Sequence, residues 1–467
     1  MERSLQRLEQ FFSPRHIVVV GASTKNFWFA NAVMNAATLG FEGNFYPVNP
    51  SAEAVAGVRA YNAIEALPKA EFDFGIVMVK ASLVKDTIRR LLPFGIRNIL
   101  LLTSGYAETG PQGRALQEEL MQFCKENDIL LMGPNCLGFM NPHSGSSVFV
   151  GGSVEGVPLP GSIGVVAQSG ATSEILMSKL IKKGLGISIY ATTGNEAVLT
   201  AEDILEYLVN DASTKIITAF FEGFRDISKL KAVAKTAASR AIPIIMIKVG
   251  RSSRGVNLAS SHTGALAGDD AIIDSALRQL GLIRVDSIEE MVETASLFSR
   301  CRLPDGEGLC IYSLSGGLCG MYADLSEKYG ISLPELSGKT LERLMGVLPE
   351  FAKPDNPLDV TGSGFQNGLD KVFDILLEEE RISIIAPLCI SPPGPDDPFS
   401  PRINNAFLRH SSSLNKTVVP IAFREANGYS QEYFKSRNIH VIEQPDIGFK
   451  ALSHFINYSK YLRNLKS

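Results

Sequence analysis

One imidazole, His262, stands in a run of residues too small to shield it. Ser260 and Ser261 precede it, and Thr263-Gly264-Ala265-Leu266-Ala267-Gly268 follow. Such neighbours leave the ring accessible and let the backbone change conformation. A histidine placed this way can act as base, metal ligand or phosphoryl acceptor, or do no more than cap the helix that follows. Glu222 closes the apolar run Ile216–Phe221, where a carboxylate is either a helix cap or a site residue. Two turns, Ser169-Gly170-Ala171 and Ser315-Gly316-Gly317, each lie between a strand-like run and a helical pattern. Backbone N–H groups and the helix dipole at such a start suit a phosphate. A third small-residue turn, Gly21-Ala22-Ser23, ends the first apolar run. Met singly, a Gly-rich turn is more often packing than phosphate binding. Three of them, with an accessible histidine and a strand-end glutamate, are hard to explain as packing.

The elements that must hold these groups are those of an α/β chain. Ile17–Val20, Phe45–Val48, Phe74–Val79, Asn98–Leu102 and Ile129–Met132 read as strands separated by helix-length segments, the pattern of a parallel βαβ sheet. Small or turn-forming residues mark their C-terminal ends: Gly21-Ala22-Ser23, Asn49-Pro50, Ala81-Ser82, Thr103-Ser104-Gly105 and Gly133-Pro134-Asn135. A ligand crevice along that carboxyl edge follows. The Gly, Ser and Pro content over 142–160 marks a domain boundary. A second α/β unit begins at Ile163–Ala167. It continues through the helix Ala171–Lys182, the turn Thr192–Glu196, a helix that Thr200 and Asp203 can cap, and the strands Ile216–Phe221 and Ile242–Val249. A third opens with the strand Gly308–Ser313, a Gly-rich turn Leu314–Gly320 and the helix Met321–Tyr329. Domains are therefore expected over 1–145, 146–302 and 303–467. Cys136 reads as a packed turn residue. Asp359 is either a loop cap or a phosphate-loop organiser, and Trp28 either covers an adenine or is a surface aromatic.

Composition sets the outer limits. At 467 residues the chain is too long for one ordinary core and suggests about three domains. The balance of 45 Lys+Arg against 49 Asp+Glu, a net of −4, offers no electrostatic footprint for nucleic acid or a membrane surface. Six cysteines show neither a CxxC pair nor metal-ligand spacing, so reduced thiols in a cytoplasmic protein without a metal site are expected. The N-terminal residues lack the apolar core of a signal peptide, and no apolar run is long enough to span a bilayer.

Over nearly its whole length the chain resembles the α subunit of ADP-forming acyl-CoA synthetases, the acetate–CoA ligase type of the succinyl-CoA synthetase superfamily. The most specific segments are Ser261–Gly268 and Gly133-Pro134-Asn135-Cys136-x-Gly138. Val166-Ala167-Gln168-Ser169-Gly170, Phe221-Glu222-Gly223, Tyr46-Pro47-Val48-Asn49-Pro50 and Asn356-Pro357-Leu358-Asp359 add to them. The resemblance implies a Rossmann-like CoA-binding domain followed by two flavodoxin-like domains. It implies CoA contacts from Gly21, Ala22, Ser23, Lys25, Asn49, Pro50, Val79, Lys80, Thr103, Ser104, Gly105, Asn135 and Cys136. His262 matches the family's phosphorylated histidine and Glu222 the glutamate that orients it. Phosphate is expected between the turns at Ser169 and Ser315, facing one another. No ATP-grasp domain is recognisable, so ATP, ADP and Mg2+ are expected on a separate ATP-grasp β subunit, in a heterotetramer with two chains of each kind. The remaining substrate is a small carboxylic acid. Two departures from the family pattern stand out: Phe27-Trp28-Phe29 where a glycine is usual, and Leu314-Ser315 where Asn-x-Gly-Gly is more frequent. A CoA-sensing regulatory module without turnover is the competing reading. An NAD-dependent dehydrogenase is weakened by the missing GxGxxG.

Overall fold

The computed structural model describes residues 2–152, 156–255, 269–362, 369–408 and 415–465. They form two compact units, Met1–Ile288 and Glu289–Ser467. In the first, β1 (His16–Val20), β2 (Asn44–Val48), β3 (Phe74–Val77), β4 (Asn98–Leu101) and β5 (Leu130–Met132) make a parallel sheet in the order β2-β1-β3-β4-β5. The chain reverses its direction of winding between β1 and β3, and a crevice opens outside the carboxyl ends there. Val18-Val19-Val20 is buried on both faces, as a parallel strand covered by helices must be. The helices are α1 (Glu2–Phe11), α2 (Trp28–Thr38), α3 (Ala81–Leu91) and α4 (Pro111–Glu126).

A second sheet follows in the same unit. It comprises β6 (Phe139–Asn141), β7 (Ser146–Ser147), β8 (Pro160–Ala167), β9 (Ile187–Thr192), β10 (Ile216–Phe221), β11 (Ile244–Lys248) and β12 (Ile283–Arg284). Their order is β12-β11-β10-β8-β9-β6-β7, parallel except where β6 meets β9 and β7. The stretch that reads as a boundary therefore supplies the edge of this sheet, and Val148, Phe149 and Val150 are fully buried. Strand β9 has no counterpart among the expected strands. Its Ser188 and Thr192 look like surface residues, but they are buried: Ser188 Oγ pairs with Thr214 Oγ1 at 2.7 Å and Thr192 Oγ1 donates to Gly138 O at 3.0 Å. Helices α5 (Gly170–Lys182), α6 (Ala201–Asn210), α7 (Ile227–Ser239) and α8 (Asp270–Gln279) flank the sheet.

The two sheets share one core. Phe11, Phe74 and Phe139 pack with Phe12 at ring-centroid distances from 4.9 to 5.8 Å. The same cluster contains Val166, Ile189, Leu199 and Phe221 from the second sheet's side. Backbone bonds join them too: Asn195 N–H donates to Pro134 O, Ala197 N–H to Gly133 O and Leu199 N–H to Leu131 O, at 2.9, 2.9 and 3.0 Å. Gly194, at φ +61°, lies where a Cβ would come within 2.3 Å of Pro134 O. Only glycine allows that approach.

In the second unit β13 (Leu309–Ser313), β14 (Leu358–Asp359), β15 (Ile384–Cys389) and β16 (Thr417–Val418) pair in the parallel order β14-β13-β15-β16, and β17 (Ile421–Ala422) also joins β15. Helix α9 (Ile288–Arg300) packs on α11 (Pro445–Asn464) through Phe298 against Phe455 at 4.9 Å and Glu290 Oε1 against His454 Nε2 at 2.7 Å. One expectation needs correction. Helix α10 spans Gly316–Lys328, so most of the expected Gly-rich turn is helical. Ser315 starts it by accepting from Leu318 N–H at 3.4 Å, and burial of Cys319 and Tyr322 carries the glycines into the helix.

Candidate functional site

The carboxyl edge of the first sheet and the start of α5 border one cleft of about 950 Å3. Val79, Lys80, Thr103, Ser104, Asn135 and Cys136 line it from the first sheet. Ser169, Gly170, Ala171 and Glu222 line it from the second. The remaining expected CoA residues are not among its walls. Gly21, at φ +93°, passes where a Cβ would lie 2.9 Å from the Met78 backbone, and Ala22 is buried. Ser23 Oγ accepts from Lys25 N–H at 3.0 Å. Asn49 joins the ends of β1 and β2 by donating to Ala22 O at 2.7 Å and accepting from Ser51 and Ala52 N–H, with Pro50 exposed beside it. Gly105 N–H donates to Glu108 Oε1 at 2.5 Å.

Asn26, Phe27 and Trp28 reach the cleft instead. Phe27 is 66% exposed and Trp28 38%, large apolar surface for water to cover. Phe29, the third aromatic of that stretch, is fully buried edge-on to Phe45 and belongs to the core. Cys136 packs as expected: its Sγ lies 3.7 Å from Leu101 O, and burial pushes the thiol up to about 12. A thiol held there is no nucleophile near neutral pH.

Helix starts differ in a way that bears on anions. Thr200 with Asp203, Asp226, Asp269 and Ser315 cap α6, α7, α8 and α10 with their own side chains. The starts of α3 and α5, at Lys80 and Ser169 in the cleft wall, have no side-chain cap. Ser169 Oγ turns to Thr172 Oγ1 at 3.0 Å instead. These two starts in the cleft wall thus leave first-turn N–H groups without a side-chain cap, the arrangement an anion site needs. At the α10 start Ser315 Oγ takes one first-turn N–H, that of Leu318, and a Cβ on Gly316 would lie 2.8 Å from Asp359 Oδ2. Asp359 itself accepts from Thr361 N–H at 2.9 Å, a loop cap. Ser169 lies in the first unit, and Ser315, Gly316 and Gly317 in the second. His262 lies outside the described residues.

Several residues around Glu222 escaped the sequence reading. Gln168 Oε1 accepts from Glu222 N–H at 2.5 Å and Gly223 N–H at 3.0 Å, while its Nε2 donates to Gly223 O at 2.8 Å and Glu196 Oε2 at 3.0 Å. Glu196 also accepts from Thr193 Oγ1, Ala201 N–H and Arg225 Nε. Burial first, then the neighbouring Glu202, push the Glu196 carboxyl up to about 7 against those hydrogen bonds and the Arg225 charge. Arg225 Nη2 donates to Asn195 O at 3.2 Å, and the Asn195 amide donates to Glu108 of the first sheet's loop. Burial raises the Glu108 carboxyl, but the Asn195 and Gly105 hydrogen bonds outweigh it and hold the group below the usual range. Lys248 ends β11 with Nζ on Glu222 O at 2.9 Å and Val249 O at 2.6 Å, and burial lowers its pKa. Gln168 lies inside a quoted motif and Glu196 inside a quoted turn, but nothing in residue order shows that they touch.

Residues 15–142 match a CoA binding domain family, and residues 160–298 a succinyl-CoA ligase-like flavodoxin domain family. The chain is 33% identical over 386 residues to the alpha subunit of the ADP-forming acetate–CoA ligase II of Pyrococcus furiosus, covering 82% of this chain and 83% of that one. It belongs to the ADP-forming acyl-CoA ligases. Against a trans-feruloyl-CoA synthase from an unknown prokaryotic organism, 32% identical, it spans 56% of the longer protein. The acetyl-coenzyme A synthetase 1 of Ca. Korarchaeum cryptofilum, solved with phosphate and ADP, superposes on this ligase chain with a TM-score of 0.84 at 25% identity, covering 98% of it. Ligases of this kind favour turnover over the CoA-sensing module.

Proposed function

We propose that the chain supplies the CoA and acyl-phosphate half of the reaction acid + ATP + CoA ⇌ acyl-CoA + ADP + phosphate. A thiolate does not attack a bare carboxylate, so the acid must pass through an acyl phosphate. His262 carries the phosphoryl group between nucleotide and acid, because imidazole is nucleophilic near neutral pH and forms a transferable P–N bond. The observation that carries this reading is the single cleft joining the first sheet's strand ends to the α5 start and Glu222. CoA occupies it with phosphates toward Lys80 and the α3 start, Phe27 and Trp28 at its mouth, and the thiol toward Asn135 and Cys136. Phosphate sits at Ser169-Gly170-Ala171. Glu222 accepts a hydrogen bond from one ring nitrogen of His262, fixing the tautomer so that the other attacks. ATP, ADP and Mg2+ are handled by an ATP-grasp partner chain in the cytoplasm, in a heterotetramer with two chains of each kind.

Labelling with γ-labelled ATP tests it. Label is expected on His262 only when the partner chain is present, and it should be acid-labile and base-stable, unlike phosphoserine at Ser260 or Ser261. His262→Ala should lose label and turnover while keeping CoA binding. Full ligase activity in His262→Ala, or label that survives acid, overturns the reading.

A further inference from the structure

We propose that Gln168, backed by Glu196, is the positioning residue that sets where Glu222 stands. The inference rests on the function proposed above, in which Glu222 orients His262. Glu222 lies at the end of β10, where the ladder stops and backbone N–H groups need partners from elsewhere. Gln168 meets that need from the end of the neighbouring strand β8. Its carbonyl oxygen takes both N–H groups, Glu222 at 2.5 Å and Gly223 at 3.0 Å, and its amide nitrogen returns a bond to Gly223 O at 2.8 Å. The remaining amide hydrogen goes to Glu196 Oε2 at 3.0 Å. Every donor and acceptor of the amide is used, and a flipped amide would set two donors against two N–H groups. Gln168, at the cleft wall, and Glu196 are each only 5% exposed, so water substitutes poorly for either.

Glu196 is fixed in turn by Thr193 Oγ1 at 2.8 Å, Ala201 N–H at 2.9 Å and Arg225 Nε at 3.2 Å. Arg225 and Asn195 then extend the bonds to Glu108, beside the Thr103–Gly105 strand end. The backbone carrying Glu222 is thus referred to the same frame as the CoA-facing loop. An error of about 1 Å in a positioned group costs on the order of a hundredfold in rate.

Gln168→Glu tests this in the assembled enzyme. The new carboxylate keeps an acceptor for the two N–H groups but turns an acceptor toward Gly223 O and Glu196. Charged neighbours are Glu196 with Glu202 behind it, Arg225, Glu222 and Lys248, whose Nζ holds the Glu222 carbonyl. We expect kcat to fall about 10- to 100-fold at pH 8 and to recover as pH drops toward 6, since protonation restores a donor. KM for CoA should stay within twofold. Gln168→Met, with neither donor nor acceptor, should lose as much kcat with no recovery in acid. If Gln168→Glu does not fold, Glu196→Gln carries the test and should lower kcat more than it changes KM. The proposal is wrong if Gln168→Met and Glu196→Gln both keep kcat within twofold while Glu222→Gln is inactive. Retained activity in Glu222→Gln would instead sink the proposed function.

Discussion

Gly170 and Gly317 both stand in the first turn of a helix, yet a side chain would meet different surroundings at each. At Gly170 a Cβ would lie 2.7 Å from Leu137 Cδ1, and Leu137 also lines the cleft. At Gly317 the nearest neighbour is Ser315 Oγ at 3.7 Å, ordinary contact. Gly170→Ala should therefore cost about 1–3 kcal/mol of overpacking and slow phosphoryl transfer. Gly317→Ala should gain up to about 1 kcal/mol of helix propensity and leave transfer intact. Thermal melts and single-turnover label transfer read both. Equal loss of transfer in the two variants would show that the α10 start serves the phosphate as well. Glu196 offers a second test. Its carboxyl is raised to about 7 from an ordinary 4.5, so the folded state holds the proton more tightly across that window. Stability from this group is present at pH 4.5 and declines as pH rises toward 7. Urea unfolding at pH 5 and 7.5 should show the slope, and Glu196→Gln should flatten it.

Among the elements, those set by apolar runs were legible from residue order. β1 to β5 lie within two residues of the expected strands, because parallel strands buried by covering helices, β1 and β3 most completely, read as apolar stretches. The capping box at Thr200 and Asp203 was likewise visible as a spacing and is present. β9 was not, since its hydroxyls are satisfied by partners on distant segments. The α10 start was misplaced because two glycines read as a turn while Ser315 capped them into a helix. Of the site, the cleft-lining turns could be found by position at strand ends, but the Gln168–Glu196 pairing joins residues 28 apart by tertiary packing alone. In the second unit a cap outside the helix it serves makes a prediction of opposite pH sign. Glu379, 2% exposed, accepts from Ser337 N–H at 2.8 Å and Arg381 N–H at 3.1 Å at the start of the helix Gly338–Met345. Burial raises it, but hydrogen bonds from Ser337 and Thr340 prevail and take it down to about 2. That stability is present above pH 4.5 and lost as pH falls toward 2. Glu379→Gln should make the acid unfolding of the chain shallower below pH 4.5, as followed by circular dichroism.

On the scale of the whole chain, the stretch that composition marks near 142–160 separates the two family matches, 15–142 and 160–298, but it does not separate two cores. The first two sheets share Phe11, Phe12, Phe74 and Phe139 with Val166 and Ile189, and three backbone hydrogen bonds cross from the β9 turn to the end of β5. A fragment ending near residue 145 would strand Phe139 at an unpaired edge and expose that cluster. A fragment ending at Ile288 keeps both sheets. Expression of residues 1–145 should give a protein that melts without cooperativity, whereas 1–288 should show a single sharp transition and bind CoA. A cooperative, CoA-binding 1–145 would show that the shared core is dispensable.

The bare helix starts at Lys80 and Ser169 have one further consequence. A helix without its own cap forgoes about 1 kcal/mol that a serine or aspartate side chain would supply. On the function proposed above, the molecule being processed supplies those contacts. Ligand at a hundredfold excess over its Kd adds about 2.7 kcal/mol to the resistance against unfolding. On that reading the protein is toughest while it is working and most fragile when starved, and thermal melts with and without CoA and phosphate should show the difference.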